Sequence, residues 1–88
     1  MTEADYAKPL AGKRGLILGV ANDKSIAWAC AQACHAAGAE LVFNYAGEAF
    51  EKRVGKLIEP IPGAAMFPCD VSSDESIGTF FAGVDSHW

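Results

Sequence analysis

The chain has 88 residues, of which 51% are hydrophobic and 20% charged, and carries a net charge of −4. That length allows one small domain burying roughly 60–70% of the surface its unfolded form exposes, and the composition lies far from the polar, highly charged class that stays disordered. The acidic balance excludes nucleic acid or an anionic membrane as the main partner, since both need a basic footprint, although the backbone N–H groups at a helix start still suit a small anion. Cys30, Cys34 and Cys69 are odd in number and cannot all pair. The opening residues are acidic where a signal peptide has a basic region and an apolar core, and no apolar run reaches the ~18 residues of a membrane span. These features predict a cytoplasmic protein without disulfides.

In chain order, Arg14–Gly19 reads as a short apolar strand ending at a glycine, and Val20–Lys24 as a turn. Ser25 suits an N-cap, and the Ala-rich run from Ile26 to Ala37, apolar nearly all round, predicts a helix buried against a sheet and closed by Gly38. Glu40–Tyr45 is the second strand, closed by Ala46-Gly47. A helix follows from Glu48 to Ile58, with Phe50, Val54, Leu57 and Ile58 on one face and Glu51, Lys52, Arg53 and Lys56 toward water. Pro60-Ile-Pro-Gly63 breaks it. Ala64–Val71 reads as a third strand, weakened by Pro68, and Ser72-Ser-Asp-Glu75 has capping-box spacing ahead of a helix with Ile77, Phe80, Phe81, Val84 and Trp88 as its core stripe.

The order β-α-β-α-β-α predicts an α/β fold: a parallel sheet that forms the N-terminal half of a doubly wound, Rossmann-type nucleotide-binding domain. In such a fold, ligands sit at the carboxyl ends of the strands. The turn Gly19–Ala27 then reads in two ways. It is either a sharp strand-to-helix connection, or a phosphate site in which Gly19 lets a backbone approach, Ser25 contributes a hydroxyl, and Ser25 and Ile26 offer N–H groups. The general fingerprint Gly-x-Gly-x-x-Gly is absent. Asp70 at the third strand's end is either a turn residue or an acceptor for an adenine amino group.

The segment Gly12-Lys-Arg-Gly-Leu-Ile-Leu-Gly-Val-Ala-Asn-Asp-Lys-Ser-Ile-Ala-Trp28 resembles the amino-terminal part of bacterial NADH-dependent enoyl-acyl-carrier-protein reductases. This divergent branch of the short-chain dehydrogenases/reductases replaces the usual Gly-rich turn with Gly-x5-Ser-Ile-Ala. The similarity continues through Ala37–Tyr45, Lys52-Arg-Val54 and Pro68-Cys-Asp-Val71 in the family's order. The resemblance implies that Gly19, Ser25 and Ile26 contact the diphosphate and nicotinamide side of NADH, and that Asp70 and Val71 contact adenine. Ala46 takes the adenosine-side position where the family usually has Gln, and it lacks the amide. No acidic residue at that strand tip is available for a ribose 2′-OH and no Arg for a 2′-phosphate, so the preference for NADH is implied by the family alone.

The expected function is therefore the NADH-binding N-terminal part, residues 1–88, of an enoyl-acyl-carrier-protein reductase of type II fatty-acid biosynthesis. The chain stops before the family's fourth strand, so the catalytic Tyr and Lys are not among its residues, and the 88-mer alone is expected to be inactive. The resemblance also implies an enoyl-acyl-carrier-protein substrate and a homotetramer for the complete enzyme. The alternatives are another short-chain reductase, such as a 3-oxoacyl reductase, or a non-catalytic nucleotide-binding fragment. Tyr45 and Lys52 reproduce the family's Tyr-x6-Lys catalytic spacing, but at the end of the second strand on the adenosine side, and are read as a coincidence. Tyr6, followed by Lys8, is not assigned catalysis either. Cys30 and Cys34, at i and i+4, are read as small buried packing residues in preference to metal ligands, and His35 as facing solvent or the helix dipole. No metal site is expected.

Overall fold

A computed structural model describes residues 8–88; the acidic opening segment and Tyr6 lie outside the described residues. Three strands, β1 (Arg14–Ile17), β2 (Glu40–Tyr45) and β3 (Ala65–Pro68), alternate with three helices, α1 (Ile26–Ala36), α2 (Glu48–Ile58) and α3 (Asp74–His87). The sheet is parallel with order β1-β2-β3. Arg14 aligns with Glu40 and Ile17 with Phe43, and Val42 aligns with Ala65 and Tyr45 with Pro68. The α/β alternation read from the sequence is the observed fold.

β2 is the central strand, and Leu41, Val42, Phe43 and Asn44 are all buried. Side chains along a strand alternate between faces, and that alternation divides the core in two. Leu41 and Phe43 pack with Trp28 and Ala31 of α1 and Val54 and Ile58 of α2, with Ile17 and Met66 of the flanking strands against them. Val42 packs with Phe80 and Val84 of α3, with Leu16, Ala65 and Phe67 against them. Helices thus cover both faces, which is why Leu41, Val42 and Phe43 of β2 are apolar in succession instead of alternating with polar residues.

Gly38 terminates α1. Its φ is +99°, a conformation that side chains rarely adopt, and a Cβ there would stand 3.2 Å from the Ala11 backbone. The Gly38 N–H donates to the His35 carbonyl and the Ala39 N–H to that of Cys34, the paired bonds that satisfy a helix's last carbonyls. α2 has the range and the buried face expected of it.

Several details differ from the sequence reading. The third strand is shorter than Ala64–Val71, because the chain leaves the sheet at Asp70, whose carboxylate oxygen Oδ1 accepts from the Ser72 N–H (2.9 Å) and hydroxyl (2.6 Å). That engagement of Ser72 also moves the cap of α3 one residue on: Ser73 is the N-cap and accepts from the Ser76 N–H. α1 is apolar all round but buried along a single stripe, Trp28 and Ala31 with Ala27 and Cys34 against the core, so Cys30 is exposed and not the buried packing residue expected. Phe81 is likewise half exposed, since it stands about 100° around the helix from Phe80, which takes the sheet-facing position.

Candidate functional site

The carboxyl ends of the three strands point to one edge of the sheet, and the segments leaving them carry the residues singled out in the sequence. Beyond β1, Gly19 has φ +96° and opens the turn into α1. Ser25 is the N-cap of α1 by position but makes no side-chain cap bond to it. Its hydroxyl oxygen instead accepts from the Ala21 N–H (3.0 Å) and the Asn22 N–H (3.1 Å), folding the turn back on itself. Asn22 tightens the turn further, its Oδ1 accepting from the Lys24 N–H at 2.8 Å.

The consequence is chemical. The first amides of a helix have no intrahelical partner, and here the N-cap side chain does not occupy them. The Ile26 and Ala27 N–H groups at the positive end of α1 are donors suited to an anion, with the Ser25 hydroxyl proton beside them. Ile26 itself is 84% exposed, so its side chain does not shield that end. A dinucleotide diphosphate matches this donor set.

A cleft of about 130 Å³ lies at the same edge, lined by Gly19, Val20, Ala21, Asn44, Ala46 and Phe50. It brings Gly19 and Ala46 together. Asp70 and Val71 do not line it; they follow Cys69, whose N–H donates to the Tyr45 carbonyl at 3.0 Å, and both are exposed. Asp70 is the turn residue described above, and its N–H donates to the Ser76 hydroxyl at 2.7 Å. The Ser72 hydroxyl, and then the Ser72 N–H, hold the Asp70 carboxyl below its ordinary range, so it stays a carboxylate at neutral pH. Both bonds fall on Oδ1, and acceptor capacity on Oδ2 is left for a ligand; the turn and adenine readings are compatible.

One residue of the site was missed in the sequence. Asn44 is buried, its Oδ1 accepting from the Gly19 N–H at 3.0 Å and its Nδ2 donating to the Cys69 carbonyl at 3.1 Å. The available signal was an amide inside an otherwise apolar strand.

The Tyr45 and Lys52 pair does not form a catalytic arrangement. Tyr45 packs against the core under α1 and α2, while Lys52 is on the exposed face of α2. Burial, and then the carboxylates of Glu51 and Glu48, raise the Tyr45 phenol above its ordinary value, the reverse of what a neighbouring ammonium would do. An open groove along α2, lined by residues including Glu48, Glu51, Lys56 and Met66, has mixed charge and lies apart from the strand ends Gly19 and Asp70. Among the described residues no group of acidic, His and Cys side chains is arranged to hold a metal, and no helix is long and apolar enough to cross a membrane.

The family model described as enoyl-(acyl carrier protein) reductase matches residues 19–88. The chain belongs to the enoyl-acyl-carrier-protein reductase family. Among curated members, it is 43% identical over 82 residues to the enoyl-acyl-carrier-protein reductase (NADH) FabI of Nostoc sp., covering 90% of this chain and 32% of that protein. It is 52% identical over 75 residues to the enoyl-acyl-carrier-protein reductase (NADH) 2 of Rhizobium meliloti, covering 85% and 27%. The crystal structure of the reductase from Anaplasma phagocytophilum in complex with NAD superposes with a TM-score of 0.84 at 46% identity, over 90% of this chain and 30% of that one. The chain therefore spans about 30% of the length of these reductases, and it has the fold of the corresponding part.

Proposed function

We propose that this chain is the NADH-binding amino-terminal part of an enoyl-acyl-carrier-protein reductase. Gly19, Ser25 and Ile26 bind the diphosphate and nicotinamide side of the cofactor, and Ala46, Asp70 and Val71 line its adenosine end. The observation that carries the reading is the Ser25 hydroxyl turned back onto Ala21 and Asn22, because it leaves the first amides of α1 for phosphate oxygens. Bound NADH supplies the hydride that reduces the 2-enoyl thioester at C3. The residues of this chain hold the cofactor: Gly19 allows close backbone approach, Ile26 and Ala27 donate N–H groups, and the Asp70 carboxylate accepts from the adenine amino group. An enoyl-acyl-carrier-protein substrate, a homotetramer and a cytoplasmic setting belong to the same reading for the whole protein.

Titration calorimetry of the folded 88-residue chain with NADH tests it. Saturable one-to-one binding is expected, weakened by added inorganic pyrophosphate competing at the α1 amides. No enoyl-dependent oxidation of NADH is expected from these residues alone. Absence of NADH binding by chain shown to be folded by circular dichroism would overturn the assignment.

A further inference from the structure

Among the described residues, Asn44 is the one buried polar side chain, at 5% exposure. Its neighbours along β2, Leu41, Val42 and Phe43, are apolar and fully enclosed. An amide in such a setting costs stability unless both its ends are bonded, and when bonded it contributes little net stability compared with a well-packed apolar residue. The physical reason for an amide here is therefore geometric.

That geometry is unambiguous. The Gly19 N–H can only donate, so the atom facing it is Oδ1; the Cys69 carbonyl can only accept, so the atom facing it is Nδ2. One planar group thus spans from the chain leaving β1 to the chain leaving β3. The Gly19 contact lies beyond the last aligned pair of β1 and β2, Ile17 with Phe43, and the Cys69 contact one residue beyond that of β2 and β3, Tyr45 with Pro68, where the Cys69 N–H also donates to the Tyr45 carbonyl. A side chain from the strand between them thus ties the exit of β1 to that of β3, which the Cys69 N–H anchors to β2. Gly19 opens the turn that runs to Ser25, and Cys69 immediately precedes Asp70 and Val71.

We infer that Asn44 is a positioning residue that couples the two ends of the cofactor site, setting the diphosphate turn at Gly19 against the adenine end at Asp70 so that one dinucleotide engages both at once. The inference rests on the cofactor reading given above. A ligand that touches both ends gains from their fixed separation, whereas a ligand confined to one end does not. The test compares NADH, which spans the site, with adenosine, which carries no phosphate and occupies the adenine end alone. Asn44→Asp keeps the acceptor for Gly19 but sets an oxygen against the Cys69 carbonyl; Asn44→Leu removes both bonds at similar size.

Calorimetric dissociation constants for NADH are expected to rise about tenfold in either variant, the equivalent of one hydrogen bond, while those for adenosine change less than about twofold. Loss of folding would weaken both ligands by the same factor, so an equal loss, or none, overturns the coupling while leaving NADH binding by the parent chain intact. A parent chain that binds no NADH overturns the cofactor reading and this inference together. A measurement on the unsubstituted chain keeps the test independent of variant folding. Adenosine bound at the Asp70 end is expected to slow hydrogen exchange of the Gly19 amide about threefold or more through the Asn44 bridge, because coupling between sites is reciprocal. Unchanged Gly19 exchange with adenosine bound overturns the inference.

Discussion

Ser25 stands at the start of α1 yet spends its hydroxyl on the preceding turn, and this leads to an order of stabilities opposite to that of an ordinary helix cap. Where a serine caps a helix, replacement by Gly costs a few tenths of a kcal/mol and replacement by Ala about 1 kcal/mol. Here both replacements lose the same two acceptor bonds, to Ala21 and Asn22. The Asn22 bond is exposed and the Ala21 bond part-buried; at about 0.5–1.5 kcal/mol each, the shared loss is roughly 1–3 kcal/mol. Ser25 has φ −66° and ψ 141°, which Ala adopts without strain. Gly adds the extra freedom of the unfolded chain, a further cost of about 0.4–1 kcal/mol. Ser25→Gly is therefore expected to be less stable than Ser25→Ala. Urea unfolding followed by the fluorescence of buried Trp28 and by far-ultraviolet circular dichroism measures both variants. A Gly variant as stable as the Ala variant, or more so, would refute the account of the turn and return Ser25 to a capping role.

Three other expectations follow from the site and the core. The pKa of Asp70 is depressed below its ordinary 3.8 by Ser72, so its ionised form adds stability above the unfolded-state value, and that contribution is lost as pH falls through the lower folded value. Asp70→Asn keeps an acceptor for Ser72 without the charge. The advantage of the parent chain over it in urea midpoint is expected at pH 7 and to shrink as the pH is taken below 3.8; a constant gap would contradict the role of Ser72. Phe80→Ala should cost about 3–5 kcal/mol and Phe81→Ala less than about 1 kcal/mol in the same unfolding assay, and similar losses for the two would mean that the α3 face is misassigned. Lys52→Ala should leave the NADH dissociation constant within about twofold, since no cofactor contact is assigned to that exposed side chain; a larger loss in calorimetry would revive the Tyr45 and Lys52 pair.

The parts of the fold legible in the sequence are those governed by local rules. The face of α2 follows from the spacing of Phe50, Val54 and Ile58, and the end of α1 from a glycine where a left-handed residue is required. Burial within α1 was not legible, because a helix of Ala, Cys, Ile and Trp carries little contrast between its sides; the sheet selects Trp28 and Ala31 and leaves Cys30 outside. The positions of the candidate residues were legible from their types: Gly19 and Asp70 follow the ends of β1 and β3, and Ser25 stands at the start of α1. The direction of the Ser25 hydroxyl and the span of Asn44 were not. Asn44 meets Gly19 and Cys69 at 25 residues' separation on either side, and only the parallel register brings the three together.

That register has its own consequence. A strand displaced by one residue turns each side chain to the opposite face, and Leu41, Val42 and Phe43 are similar enough in character that apolar burial alone discriminates weakly between alignments. Asn44 discriminates strongly. On the side of Val42 it finds a donor and an acceptor; on the side of Leu41 and Phe43 it would meet Trp28, Val54 and Ile58 with its amide unbonded, at about 1–3 kcal/mol. The apolar residues of β2 supply cohesion to the sheet, and its single amide sets the alignment in which that cohesion is reached.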